Sequence, residues 1–115
     1  MTTDTQAASP DDSPDLLTAE PERLPTSGES AADQAAFVMY IRAHRIFQVR
    51  AFISQIGVNS AVLVSLTEVD GGLVPFIGSA SMKVYNVAPR QGFVDIRGEI
   101  DWDDDLLVRV TMFVA

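Results

Sequence analysis

The chain has 115 residues and a formal net charge of −8, which bounds it to one domain and disfavours contact with nucleic-acid backbones. It contains no cysteine, excluding a disulfide framework and a thiolate metal site. Its apolar runs are too short to span a bilayer, and MTTDTQAASPDDSPD lacks a signal-peptide core, so a soluble cytoplasmic protein with no nucleic-acid or membrane partner is expected.

Residues 1–35 hold eight acidic residues, one base and four of the six prolines, while every Phe, Tyr and Trp follows residue 35. Such a composition cannot bury enough apolar surface to offset chain entropy. The reading is a flexible acidic tail over 1–35 and a folded domain over 36–115, nearly neutral with seven basic and eight acidic residues.

The domain opens on FVMYIRAHRIFQVRAFISQ, residues 37–55, which is strand-like almost throughout. At ~3.3 Å per residue one straight strand would outrun so small a domain, so the chain must bend near Ala43-His44-Arg45. Arg42, His44 and Arg50 occupy the polar side of the alternation. They read as the solvated face of an edge strand, or as an anion clamp with His44 as a proton donor.

In NSAVLVSLTEVDGGLVPFIGSASMKVYNV, the Asp70-Gly71-Gly72 turn signal predicts a hairpin. A three-residue loop sets Val62, Val64 and Leu66 on the same face as Val74, Phe76, Gly78 and Ala80. Pro75 has no N–H to donate and marks an edge or a bulge. The return strand is read through Met82, Val84 and Tyr85 to a turn at Ala88-Pro89-Arg90-Gln91-Gly92.

The last segment, FVDIRGEIDWDDDLLVRVTMFVA, alternates almost strictly. Val94, Ile96, Gly98, Ile100 and Trp102 share one face, and Leu106, Val108, Val110, Met112 and Val114 another. A hairpin through Asp103-Asp104-Asp105 would pair Trp102 with Leu106, Ile100 with Val108 and Ile96 with Met112, placing Glu99 opposite Arg109. DWDDD, residues 101–105, lacks the glycine and terminal glutamate of a calcium loop and reads as a charged loop.

Short antiparallel strands with no amphipathic helix predict an all-β fold of about six to eight strands, a small antiparallel barrel or a two-sheet sandwich. Gly78, Ala80 and Gly98 place small residues on the inner face, either around a cavity or against bulky neighbours. Met39, Phe76, Met82, Trp102 and Met112 form an apolar inner surface, with Tyr40 and Tyr85 as hydrogen-bond donors. These seven residues suit a pocket for an apolar small molecule, and the apolar ones equally suit a packed core. No nucleophile triad, phosphate loop, dinucleotide fingerprint or metal motif is present in the sequence, so no catalytic or metal-ligating residue is assigned.

The terminal stretch FVDIRGEIDWDDDLLVRVTMFV, together with the acidic tail through Ser30, resembles in layout the small bacterial β-barrel cyclases that form spirotetronate and spirotetramate rings in polyketide biosynthesis. The resemblance implies an eight-stranded barrel and intramolecular [4+2] cycloaddition of a linear polyene without a cofactor. It also implies that PDLLTAEPERLP could order over the barrel mouth through Leu16, Leu17 and Leu24. The alternative is a non-catalytic β-module acting in self-assembly or partner binding. Leu107 and Phe113, apolar on an otherwise polar strand face, favour it, and they equally suit the interface of a homodimer.

Overall fold

Strict alternation forces each strand to bury one side and wet the other, and many such sides are buried together either in a closed barrel or between two facing sheets. The computed structural model describes residues 16–25 and 34–115. Among them are eight strands and no helix: β1 (Leu16–Ala19), β2 (Glu22–Arg23), β3 (Ala35–Ala43), β4 (Arg45–Phe52), β5 (Val62–Glu68), β6 (Met82–Arg90), β7 (Phe93–Ile100) and β8 (Leu106–Val114). One sheet has the order β1-β4-β7-β6 and the other β2-β3-β8-β5. The sheets do not close into a barrel, so the sandwich is the architecture. No described helix is long and apolar enough to cross a membrane.

The inner faces follow the alternation. Phe37, Met39 and Ile41 of β3 and Val108, Val110 and Met112 of β8 meet Phe47 and Val49 of β4 and Val94, Ile96 and Ile100 of β7 in one buried core. Gly98 permits this packing. A Cβ there would lie 2.7 Å from the Lys83 carbonyl oxygen and 2.8 Å from the Phe47 ring. Of the two readings of the small residues, Gly98 therefore follows the packing one.

The bend predicted near His44 is where β3 gives way to β4 and the chain changes sheets, with Arg45 at φ 56°. Both strands are interior to their sheets. The basic residues therefore do not lie on an edge strand. Instead, Arg50 Nε and Nη2 donate to Asp95 Oδ1 and Oδ2 at 2.8 and 3.0 Å, pinning β4 to β7. Arg45 donates to Asp101 (2.9 Å) and to Asp103, and His44 Nδ1 donates to Asp105 Oδ1 (2.6 Å). These pairs tie the corner between β3 and β4 to the loop between β7 and β8.

That loop corrects the predicted terminal hairpin. Strands β7 and β8 do not pair: β7 lies between β4 and β6, and β8 between β3 and β5. Residues 101–105 cross between sheets, and the two apolar faces coincide because they meet across the core. Glu99 is consequently not opposite Arg109. It accepts a hydrogen bond from the Tyr85 hydroxyl, while Arg109 lies between Tyr40 and Thr67.

The hairpin predicted at Asp70 is also much shorter than the alternation suggested. Only the Val69–Pro75 bridge forms beyond β5, with the Phe76 N–H donating to the Glu68 carbonyl at 3.0 Å. The chain then leaves β5 and enters the opposite sheet at Met82, where β6 pairs with β7. Within β6 a bulge between Val84 and Asn86 shifts the inward parity, so Met82 and Val84 but then Val87 pack on the core. Gln91-Gly92 makes the two-residue turn into β7, with Gly92 at φ 86°.

Much of the tail expected over 1–35 lies outside the described residues. Its described part, 16–25, pairs parallel with β4 through β1 and antiparallel with β3 through β2.

Candidate functional site

Because β5 and β6 are each paired on one side only, they flank an open seam between the sheets. The segment Phe76–Ser81 crosses that seam. Phe76, Gly78, Ser79 and Ala80 line, with Trp102, Leu106 and Glu68, a solvent-open hollow of about 230 Å³. A neighbouring hollow of about 220 Å³ shares Phe76, Gly78, Ala80 and Glu68 and adds Leu66, Thr67, Ile77 and Met82.

Trp102 owes its position to the loop that leaves β7. The Asp101 N–H donates to the Ser81 carbonyl at 2.9 Å, and the Trp102 N–H to the Ile100 carbonyl at 2.8 Å. With the Arg45 pairs to Asp101 and Asp103, the residues on both sides of Trp102 are held to the rest of the fold. The indole, 41% exposed, also lines a polar hollow with Arg45, Asp101, Asp103 and Asp104. It thus stands between a polar surface and an apolar one, as suits its apolar ring and single N–H.

Of the seven residues read from the sequence, three reach the seam. Phe76 lines both hollows, Met82 one and Trp102 the other. Met39 and Met112 are buried in the core, with Met112 fully so. Tyr40 is exposed on β3. Tyr85, at the β6 bulge, is half exposed and bonded to Glu99. That hydrogen bond, aided by partial desolvation and the charge of Glu99, raises the Tyr85 phenol above its ordinary value. Neither tyrosine lines the two hollows.

The sequence reading missed Glu68, Leu66 and Leu106 as lining residues. The signal for Glu68 was parity: Val62, Val64 and Leu66 point inward, and two residues further the same face carries a carboxylate at the mouth of the core. Among the described residues Glu68 makes no side-chain hydrogen bond or ion pair. The described tail residues lie elsewhere, because β1 and β2 occupy the sheet edges opposite to β5 and β6. Leu16, Leu17 and Leu24 therefore do not cover the seam.

Chemically, the arrangement offers an apolar wall, an indole face, the Ser79 hydroxyl and one carboxylate. No protein-family model matches the chain, and neither does any curated protein or solved structure.

Proposed function

We propose that the protein is a cofactor-independent cyclase that binds a linear, apolar, polyketide-like molecule at the open seam and holds it folded for intramolecular [4+2] cycloaddition. The observation that supports this reading is the grouping of Phe76, Ala80, Trp102 and Leu106 around one hollow where the sheets are left unjoined. Cycloaddition forms two carbon–carbon bonds within one molecule and moves no proton. Its catalyst contributes by holding diene and dienophile at reacting distance.

A volume of about 230 Å³ lies below the roughly 300–1,000 Å³ usual for small-molecule pockets. The hollow therefore takes the reacting segment of a longer chain. The donor for a dienophile carbonyl is Ser79, which lines the hollow, in place of Tyr40 or Tyr85. A donor there stabilises charge that develops on that oxygen in the transition state. The acidic, cysteine-free composition suits a cytoplasmic setting.

The test is incubation with a linear triene carrying an activated alkene, followed by chromatography and mass spectrometry. The reading predicts a cyclised isomer of unchanged mass that forms faster with the protein present, and an acceleration lost in Phe76→Asp. Equal rates with and without protein contradict it.

A further inference from the structure

The arm between β5 and β6 exposes apolar side chains that the fold does not use. Ile77 is 99% exposed, Val74 56%, and Leu73 and Phe76 44% each. The arm is nonetheless held in place. Asp70 Oδ1 accepts from the Gly72 and Val74 N–H groups at 2.8 and 3.0 Å, and the Asp70 and Leu73 N–H groups bond to the Val74 and Asp70 carbonyls. Leu73 takes φ 65°, a conformation that favours glycine. Two glycines precede it, yet the left-handed position carries an exposed leucine. An exposed apolar side chain held where it is conformationally unfavourable points to a contact made outside the monomer.

We infer that this arm is the interface of a twofold dimer, in which Ile77 of each copy seats in the hollow formed by Leu66, Phe76, Ala80 and Met82 of the other. Self-complementarity carries the choice of occupant. A twofold interface needs projection and recess on the same patch, and Ile77 stands on the rim of that hollow. An axis passing beside the rim delivers each isoleucine to its partner's recess. Complete burial of the four exposed residues would cover about 500 Å² per copy, so two copies approach the ~1,000 Å² at the low end for specific interfaces.

The composition of the arm disfavours a lipid surface. Residues 69–81 contain no Lys or Arg, and the chain carries −8 overall, so anionic membranes repel it. Glu68 lines the recess and Asp70 stands at the turn of the arm in both copies, so salt that screens their repulsion strengthens the dimer. The recess shares Phe76, Gly78, Ala80 and Glu68 with the Trp102 hollow, whereas Ile77 lines only the recess, so Ile77 variants test the dimer separately from the ligand site.

Sedimentation equilibrium of the full chain tests it. A dimer is expected, tighter at 0.5 M than at 0.05 M salt, weakened at least tenfold by Ile77→Asp and unchanged by Leu63→Asp on the outer face of β5. Ile77 makes no packed contact in its own chain, so the circular dichroism and unfolding of Ile77→Asp monomers should match those of wild type diluted to monomer. With no native cysteine, mixing Ile77→Cys and Met82→Cys proteins under oxidation should give the mixed disulfide dimer. A wild type that stays monomeric, or a dimer abolished by Leu63→Asp and indifferent to Ile77→Asp, would overturn the inference.

Discussion

Met112 and Trp102 were placed on one apolar surface by the alternation of residues, and the fold gives them different roles. Met112 is fully buried between the sheets, whereas Trp102 is 41% exposed at the seam. Met112→Ala should therefore cost about 2–5 kcal/mol of stability, the range for a truncated core side chain. Trp102→Ala should cost much less and act mainly on ligand binding. Denaturant midpoints of the two variants check this contrast, and equal losses would place Trp102 in the core. Tyr85 supplies a second test. Its raised phenol, caused first by the hydrogen bond to Glu99, contributes stability that is fully present below the unfolded value near pH ~10 and is lost as pH rises through the folded value. Above pH ~10 the wild type should lose stability more steeply than Tyr85→Phe, and below it the two curves should run parallel.

At the scale of elements, the sequence located strands better than it located their partners. Inward and outward faces of β7 and β8 could be read residue by residue, because period-two alternation depends only on what is buried. Which strand lies beside which could not, since two apolar faces meet equally well in a hairpin or across a core. The β7–β8 loop is tethered by long-range contacts, the Arg45–Asp101 ion pair and the His44–Asp105 hydrogen bond, whose partners lie 56 and 61 residues apart. No local pattern contains them. The bulge in β6 was not read from the sequence, although the apolar parity shifts there from Met82 and Val84 to Val87. In the arm, the local preference for a glycine turn was plain, but the left-handed residue is Leu73. Leu73→Gly should remove about 1–2 kcal/mol of backbone cost against roughly 0.5–1 kcal/mol of added chain entropy. Measured in the Ile77→Asp background, it should be neutral to slightly stabilising. A clear loss of stability would mean that the Leu73 side chain packs within its own chain.

For the whole molecule, the all-β class was legible, and the described residues hold no helix, while the choice between barrel and sandwich depended on one seam. Closing it would have required the Asp70 hairpin to run its full length. Pro75 offers no N–H to the ladder, and pairing ends within one residue of it, at the Phe76–Glu68 bond. The open seam removes the enclosed lumen that a barrel would provide and leaves a groove at its mouth. That relocation explains why three of the seven residues read from the sequence converge there and why the methionines at 39 and 112 do not. Gly78 and Ala80, read as small residues of an inner wall, keep the floor of the groove low beside Phe76 and Trp102.

The Trp102 hollow is proposed to bind an apolar molecule, and Trp102 is the chain's single tryptophan. Titrating the full chain with a linear polyene while following Trp102 emission tests it most directly. A saturable change in emission, lost in Phe76→Asp, is the predicted result. An emission that does not respond, or responds equally in Phe76→Asp, would contradict a ligand site at the seam and leave the protein as a β-sandwich that acts through assembly.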